Sequence, residues 1–237
     1  MVKICLSGFG RMNREVFALG REDREVQFAS VLTRRVETAA SAAGGVPVFD
    51  NPDRAFALAD VVIDFSTREA CAVNAAKAAR LAKPVVIGTT GLSPEEVDSI
   101  GGAIAASGAS GVISANFSVG VNVFLEAAKF LQERLENYDL EMVETHHKAK
   151  KDAPSGTALR TMGALGLTQA EIPIHSLRVG DVVGDHALFF AGNSERIELT
   201  HRATSRRCFA AGALQAAKWV AHKRDGTLHD FREVLKR

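Results

Sequence analysis

Cysteine is scarce in this chain, and the few cysteines lie far apart. Cys5, Cys71 and Cys208 are the three among 237 residues, and they form no C-x-x-C pair. Such spacing indicates neither a zinc site nor a disulfide framework. We interpret the three as reduced core residues, and we predict no metal site.

The chain also has almost no net charge and no long apolar run. Lys and Arg number 29 against 28 Asp and Glu, a formal net charge of +1, so no global positive field is available to hold nucleic acid. No segment approaches the roughly 18 uninterrupted apolar residues that a membrane-spanning helix needs. Met1 leads into an apolar strand without a charged leader and cleavage site. We therefore predict a cytoplasmic protein with no nucleic-acid or membrane partner.

The composition is that of an ordinary globular protein. Hydrophobic residues make up 46% of the chain and charged residues 24%, enough to bury a substantial core. We find no internal repeat and no low-complexity stretch. The length accommodates two modest, interleaved domains.

The first part of the chain has the pattern of alternating buried strands and helices. It opens as strand, glycine turn, helix and strand, and further short apolar runs rich in β-branched residues follow, as in buried parallel strands. The predicted strands are 3–7, 26–32, 59–65, 84–88 and 111–114, with helices over 14–19 and 69–81 and another from Pro94, capped by Ser93.

After Asn116 the pattern changes. A long amphipathic helix over 121–135 precedes a segment at 140–145 that alternates as a half-buried strand does. Further strands are predicted at 174–179, 186–191 and 196–203, and a last helix over 209–222. This is more consistent with a mixed open sheet than with a repeat of the first unit.

A glycine turn, Gly8-Phe9-Gly10, lies between the first predicted strand and helix. Glycines there permit the turn and let backbone N–H groups approach a pyrophosphate at the helix N-terminus. Asn13 stands where the common fingerprint has its third glycine. A tight structural turn in an α/β protein is the alternative reading.

Two other strand ends carry polar loops. Gly88-Thr89-Thr90-Gly91 follows an apolar strand, which places it at the carboxyl edge of the sheet, where it could line the nicotinamide side of a bound dinucleotide. An ordinary strand-to-helix turn is an equally good reading of this tetrapeptide. The Asp64–Thr67 stretch has the same ambiguity.

The most specific segment is 144–157, Glu-Thr-His-His-Lys-Ala-Lys-Lys-Asp-Ala-Pro-Ser-Gly-Thr. It crowds five cationic or ionisable side chains into six positions: His146, His147, Lys148, Lys150 and Lys151. Pro154–Thr157 then precedes a helical run from Ala158, so free N–H groups and two hydroxyls gather at a positive helix end, as in a carboxylate or phosphate cradle.

Two alternative interpretations of segment 144–157 are a solvated basic loop and a nucleic-acid-binding patch. Both account for the charges but not for the Ser-Gly-Thr cradle. Zinc is disfavoured because the adjacent His146 and His147 cannot easily face one ion.

Together these segments resemble the dihydrodipicolinate reductase family over nearly the full length. The signature His-His-x-x-Lys-x-Asp-Ala-Pro-Ser-Gly-Thr carries most of the resemblance, and the other matching segments are 8–13, 88–91, 115–122, 178–186, 200–206 and 209–212. Ser7 and Asn13 depart from the family's usual glycines. Thr33 and Arg34 stand where the family often has an acid followed by arginine.

The resemblance implies an α/β fold with a Rossmann-type doubly wound parallel sheet domain and a second α+β substrate domain with an open mixed sheet. The expected boundaries are residues 1–116 for the dinucleotide-binding domain, 117–205 for substrate binding and tetramerisation, and 206–237 for a segment returning to the first domain. The implied assembly is a homotetramer.

The implied activity is NAD(P)H-dependent reduction of 4-hydroxy-tetrahydrodipicolinate, through dihydrodipicolinate with loss of water, to tetrahydrodipicolinate in diaminopimelate and lysine biosynthesis. Alternatives are a reductase of another small cyclic dicarboxylate and a non-catalytic dinucleotide-binding regulator. A regulator would be expected to have lost His146 or Lys150, and neither is lost.

By similarity, His146 and Lys150 are the acid–base residues, while the substrate carboxylates are held by His147, Ser155, Gly156 and Thr157. The expected cofactor contacts are Ser7, Gly8, Phe9, Gly10, Arg11, Met12, Thr33, Arg34, Arg35, Gly88, Thr89, Thr90, Ser114, Ala115, Asn116 and Phe117.

The end of the second strand predicts the cofactor. Thr33 replaces the acid that would accept a ribose 2′-hydroxyl, and Arg34 and Arg35 bring two donors for a 2′-phosphate. We expect NADPH to be favoured and NADH to be usable. The alternative is that both arginines point into solvent.

Overall fold

The computed structural model describes residues 1–236, and the chain divides into two compact units. The first unit comprises Met1–Phe117 and the segment from Phe209 onward, and the second comprises Ser118–Cys208. Within residues 1–236, no helix is both long and apolar enough to cross a membrane. The same residues include no group of three or more His, Cys, Asp or Glu side chains placed to hold a metal ion.

The described residues form the following elements. The strands are β1 (Val2–Ser7), β2 (Val26–Leu32), β3 (Val48–Phe49), β4 (Val61–Asp64), β5 (Val85–Ile87), β6 (Gly111–Ile113), β7 (Asp139–His146), β8 (Ile174–Arg178), β9 (Gly184–Ala191), β10 (Arg196–Ala203) and β11 (Leu228–Asp230). The helices are α1 (Arg11–Gly20), α2 (Val36–Ala40), α3 (Pro52–Ala57), α4 (Arg68–Arg80), α5 (Pro94–Ser107), α6 (Val119–Gln132), α7 (Gly156–Ala164), α8 (Arg207–Val220) and α9 (Phe231–Leu235).

The first unit is built on a seven-stranded parallel sheet in the order β11-β6-β5-β4-β1-β2-β3. All side chains of β4 and β5 are buried, as the β-branched runs predicted. The order reverses between β1 and β4, where Ser7 pairs with Asp64 at the carboxyl ends. In open α/β sheets, ligands bind outside the strand ends at such a switch point.

Helix caps agree with the sequence where a capping residue is present. Ser93 and Glu96 form the two hydrogen bonds of a capping box at the start of α5. Thr67 accepts from the Ala70 N–H at the start of α4. The carboxyl end of α5 closes on Gly108, whose φ of 68° is the left-handed conformation that glycine adopts without strain.

The C-terminal segment completes the first unit. α8 packs directly against the backbone at Phe117, because a Cβ on Gly212 would come 1.8 Å from the Phe117 carbonyl oxygen. β11 extends the parallel sheet beside β6. The sequence prediction of one last helix over 209–222 is wrong in extent. That helix runs from Arg207 to Val220, and β11 and α9 follow it. A three-residue strand and a five-residue helix are too short to show a periodic pattern.

The second unit is an open mixed sheet in the order β10-β9-β7-β8, as predicted. β7 and β8 are parallel, while β9 is antiparallel to both of its neighbours. Its core joins helices α6 and α7 to one face of the sheet, with Met142, Leu188 and Phe190 among the buried side chains. The same alternation buries Glu144 and His146 of β7.

The cysteines differ in burial. Cys5 and Cys71 are buried and free, as the sequence predicted, but Cys208 is only half-buried. Burial is also the largest influence on the Cys5 thiol, and it raises the pKa of that group to about 12. The two buried thiols therefore stay protonated near neutral pH, as packing residues do.

Candidate active site

The glycine turn connects β1 to α1 and leaves the start of the helix open. Gly8 has a φ of 81°, and a Cβ there would lie 2.9 Å from the Cα of Ser66, so both conformation and space require glycine. Gly10 caps α1 without a side-chain hydrogen bond, and a Cβ at Gly10 would meet nothing within 4 Å. The first N–H groups of α1 are thus available to an anionic group, and the turn fits a dinucleotide pyrophosphate.

Asn13 takes the place of the third glycine by filling the inside of the turn. Its side chain is fully buried, and its Nδ2 donates to the carbonyl oxygens of Ser7 at 2.8 Å and Gly8 at 2.7 Å. A glycine would allow close packing but could not make these bonds. The departure from the family's pattern therefore replaces close contact with two hydrogen bonds that hold the same turn.

A cavity of about 460 Å³ opens in the first unit beside this turn. It brings six of the sequence-predicted cofactor residues together: Gly8, Phe9, Gly10, Thr33, Arg34 and Arg35. Arg14, which the sequence reading did not single out, also lines the cavity and lies over the Phe9 ring at 5.6 Å. Among residues 1–236, no carboxylate lies within ion-pair distance of Arg14, Arg34 or Arg35. These three guanidinium groups outnumber the one carboxylate in the lining, that of Asp50, so the cavity offers the donors of an anion site.

Asp64 ties two of the loops at the carboxyl edge of the parallel sheet. Its buried Oδ1 accepts from the Ser66 N–H at 3.0 Å, from the Ser66 hydroxyl at 2.8 Å and from the Thr89 hydroxyl at 2.7 Å. A Cβ on Gly88 would come 2.0 Å from the Phe65 ring. The Gly88–Thr90 loop is thereby held at the strand end, although it is not among the residues lining the 460 Å³ cavity.

The remaining predicted cofactor residues are not in the lining of the 460 Å³ cavity. The Ser114 hydroxyl bonds to the backbone of Asn116, and the Phe117 side chain packs against Phe65 and Phe231 in the core. The Phe117 ring therefore has a packing role. Arg11 is exposed and Met12 half-buried at the start of α1.

In the second unit, the first residue of the 144–157 segment is a buried carboxylate, Glu144. Glu144 bonds to Nδ1 of His146 through one oxygen, and its other oxygen accepts from Arg178 Nη2 at 2.8 Å. Arg178 belongs to β8, whose parallel register sets it opposite His146. The same Arg178 nitrogen donates to the Asp152 carbonyl at 2.5 Å. The sequence alone predicted no role for Glu144, Asp152 or Arg178.

Burial and hydrogen bonding shift the pKa values of Glu144 and His146 in opposite directions. Burial lowers the pKa of His146, and its bond to Glu144 offsets part of that effect. Burial pushes the pKa of Glu144 upward, but hydrogen bonds from Arg178, Ser176 and His146 hold it below its ordinary value. Glu144 is thus ionised near neutral pH, while the neutral form of His146 is favoured.

His186 connects His146 to the predicted carboxylate cradle. The two imidazole rings meet edge to face with centroids 5.2 Å apart, and His186 Nε2 lies 3.2 Å from the Ser155 hydroxyl. That hydroxyl also accepts from the Ala158 N–H as the N-cap of α7. Burial first and then the charge of His146 lower the pKa of His186 to about 4. The alternation of β9 indicated that His186 is buried, but not what it contacts.

Lys150 has an acidic partner of its own. Its Nζ lies 2.8 and 2.7 Å from the two carboxylate oxygens of Asp152. Lys148 and Lys151 are exposed. Of the other predicted substrate residues, His147 and Thr157 are half-buried, and Gly156 is exposed at the first position of α7.

A parallel sheet with its strand order reversing beside a glycine turn, followed by a mixed-sheet unit, defines the class of two-domain dinucleotide-dependent oxidoreductases. Comparison with known proteins gives the family. Profiles described as "Dihydrodipicolinate reductase, N-terminus" and "Dihydrodipicolinate reductase, C-terminus" match residues 2–117 and 120–235. The chain belongs to the dihydrodipicolinate reductase family.

Two curated relatives are named 4-hydroxy-tetrahydrodipicolinate reductase. The one from Methanosarcina barkeri is 48% identical over 193 residues, which cover 75% of this chain and 73% of the relative. The one from Methanocaldococcus jannaschii is 44% identical over 191 residues, covering 73% of this chain and 70% of the relative.

Solved structures show the same fold at lower identity. The dipicolinate-bound dihydrodipicolinate reductase from Paenisporosarcina sp. TG-14 has a TM-score of 0.83 at 22% identity, with 97% of each chain covered. A DAP dehydrogenase from C. glutamicum, solved in complex with DAP, has a TM-score of 0.65 at 12% identity, covering 99% of this chain and 96% of that chain. The predicted fold class is confirmed.

Proposed function

We propose that this chain reduces 4-hydroxy-tetrahydrodipicolinate to tetrahydrodipicolinate, with loss of water, in diaminopimelate and lysine biosynthesis. The observation that carries the proposal is the 44–48% identity to the two curated reductases. The buried His146, the Ser155 cap of α7 and the nearby Lys150 supply the chemistry that such a dicarboxylate substrate needs.

A reduced nicotinamide dinucleotide, when bound, supplies the hydride. Residues 7–12 would hold its pyrophosphate at the start of α1, and residues 33–35 the adenosine ribose. Thr33 brings no negative charge against a 2′-phosphate, and Arg34 and Arg35, with Arg14, supply cations in the same cavity. We therefore propose a preference for NADPH, with NADH still usable. The 88–90 and 114–117 segments would contact the nicotinamide side through their backbone and polar groups.

The substrate's carboxylates would be held by His147, Ser155, Gly156 and Thr157. The free N–H groups at the start of α7 carry partial positive charge, which favours a carboxylate there. The Ser155 hydroxyl oxygen already accepts from the Ala158 N–H and lies 3.2 Å from His186 Nε2, so the hydroxyl would contact a substrate carboxylate by donating its hydrogen to it.

His146 and Lys150 would divide the proton chemistry. Water must leave C4 and a proton must reach the ring after hydride addition, and an imidazole exchanges protons near working pH. The ammonium of Lys150 would stabilise charge at the ring nitrogen. Asp152 lies 2.7 Å from that ammonium, so it holds Lys150 in place until the substrate competes for it.

The homotetramer and the cytoplasmic location stay predictions. Exposed apolar side chains on the outer strands support assembly through the second unit, since Leu177 of β8 is 51% exposed and Ile197 of β10 is 37% exposed. Light scattering of the purified protein tests the tetramer, and a monomer at micromolar concentration would contradict it.

The activity is tested by following oxidation of NADPH with freshly generated substrate. We expect turnover with the condensation product of aspartate semialdehyde and pyruvate, and none with simple ketoacids. Pyridine-2,6-dicarboxylate should compete, because it presents two carboxylates at a similar separation. Turnover of ketoacids without turnover of the cyclic dicarboxylate would contradict the proposal.

A further inference from the structure

Glu144 is the most deeply buried charged side chain of the second unit's polar cluster. Its exposed fraction is 0%, and both carboxylate oxygens are occupied, one by His146 Nδ1 and the other by Arg178 Nη2. A carboxylate in such a place is unfavourable unless each oxygen has a charged or polar partner. The structure therefore places an ionised Glu144 directly behind the histidine to which we assign proton transfer.

The bond to Glu144 decides which nitrogen of His146 is available for chemistry. A carboxylate accepts hydrogen bonds, so Nδ1 must carry the proton that it donates to Glu144. Nε2 is then the nitrogen that gains and loses a proton. It faces Gly184, where a Cβ would lie 3.1 Å from it, so the backbone of β9 leaves only limited space beside that edge of the ring.

Arg178 extends the connection to Lys150. It neutralises Glu144 and also donates to the Asp152 carbonyl, while the Asp152 carboxylate holds the Lys150 ammonium. Contacts that run through Glu144, Arg178 and both the backbone carbonyl and the carboxylate of Asp152 thus connect His146 to Lys150.

The charged and titratable groups that act on His146 come from three elements and the loop. Glu144 on β7 favours its protonated form, while Arg178 on β8 and Lys150 of the loop disfavour that form. His186 on β9 meets the ring edge to face and is itself neutral at working pH. Glu144 is the only one of these four that stabilises the imidazolium.

We propose that Glu144 is a positioning residue, which fixes the tautomer and orientation of His146 and, through Arg178 and Asp152, its separation from Lys150. The inference rests on the proposed function for its catalytic meaning, although the geometry that it describes exists without substrate. Glu144 bonds to the Nδ1 side of His146 and not to the Nε2 side that exchanges the proton.

The test compares Glu144→Gln with Glu141→Gln. Glu141 is on the same strand and also pairs with a histidine, His175, at 2.9 Å, but both side chains are more than half exposed. Titration of nitrogen-15-labelled histidine by NMR gives the His146 pKa in each variant without any need for turnover. We expect that pKa to fall in Glu144→Gln, because the one partner that favours the imidazolium is lost, and to stay unchanged in Glu141→Gln.

Activity gives the second readout. In Glu144→Gln, kcat should fall by at least about tenfold, the pH limb assigned to His146 should move to lower pH, and KM for the cofactor should not change. Glu144→Asp keeps the charge and should restore part of both the pKa and the rate. In the wild type, nitrogen-15 shifts near neutral pH should show Nδ1 protonated and Nε2 bare.

Three results would overturn the inference: a wild-type His146 protonated at Nε2, an unchanged His146 pKa in Glu144→Gln, or equal shifts in the Glu141→Gln control. The wild-type measurement decides the matter even if Glu144→Gln fails to fold. Absence of turnover in the wild type with the cyclic dicarboxylate would refute the proposed function instead, and the titrations would still test Glu144.

Discussion

The candidate sites in the two units differ in how their cations are compensated. In the first, Arg14, Arg34 and Arg35 line one cavity with no carboxylate within ion-pair distance among the described residues. In the second, Arg178 pairs with Glu144 and Lys150 with Asp152. The first arrangement leaves positive charge for a ligand to neutralise. The second compensates its charge internally, and so keeps groups in fixed positions before any ligand arrives.

Burial explains why the two arrangements differ. Arg34 and Arg35 are exposed, and water stabilises an exposed guanidinium without a partner, so such charges are inexpensive but sensitive to salt. Glu144 is 0% exposed, where a charge must be paired. The difference predicts that substitution of Arg34 or Arg35 changes ligand affinity, whereas substitution of Arg178 changes stability and chemistry together.

The largest expected effect comes from breaking the buried pair. Arg178→Met should lower the free energy of unfolding by about 3 kcal/mol, because it leaves the Glu144 carboxylate buried without its cation. Arg34→Met should change it by less than about 0.5 kcal/mol, because that side chain is exposed. Urea unfolding of both variants measures the difference. Equal values would show that the pairing of cations does not distinguish the two units.

Next in size is the loss of the proposed acid–base groups. His146→Ala and Lys150→Ala should each reduce kcat by about a hundredfold or more, with folding intact. Lys148→Ala and Lys151→Ala are the matched controls, since both side chains are exposed and supply only general positive potential. Steady-state kinetics with all four variants decides the matter. If the four losses were equal, bulk charge rather than positioned groups would explain the cluster.

A smaller effect is expected from the buried imidazole of His186. Its pKa is lowered to about 4, first by burial and then by the charge of His146, so between pH 6.5 and 4 the unfolded chain binds a proton that the folded chain excludes. Stability from this group is fully present above pH 6.5 and is lost as pH falls toward 4. The loss between pH 7 and pH 5 should be about 2 kcal/mol.

Unfolding of His186→Asn at both pH values tests this linkage. The variant should lose about 2 kcal/mol less than the wild type over that interval. His175→Asn, at an exposed histidine, should lose as much as the wild type. An identical pH dependence in His186→Asn and the wild type would mean that His186 is already protonated in the folded protein or is not shielded from solvent.

The smallest effect concerns cofactor choice in the first unit. We expect kcat/KM to favour NADPH over NADH by about tenfold or more, and Arg34→Ala combined with Arg35→Ala to remove most of that preference, because charge-assisted arginine contacts are worth about 1.5–3 kcal/mol each. The NADH value should change little. An unchanged preference in the double variant would show that both arginines point into solvent.

The fold class and the candidate regions were accessible from the sequence alone. Strands β2 and β10 have the predicted bounds, α5 begins at the predicted cap, and the change after residue 116 correctly indicated an open mixed sheet. Each of these rests on local information: the period of apolar residues, a capping residue, or a turn that needs glycine. The 144–157 signature was likewise visible because its residues are adjacent in sequence.

The sequence alone did not indicate the short elements or the partners within the site. β3, β11, α2, α3 and α9 span two to six residues each and were missed, because so few residues show no period. Glu144 could be assigned to the buried face of β7, but its partner Arg178 lies 34 positions away. Ser155 and His186 are 31 positions apart. A strand's own pattern determines which face a side chain occupies, whereas its contacts depend on register between distant strands, which only the tertiary structure decides.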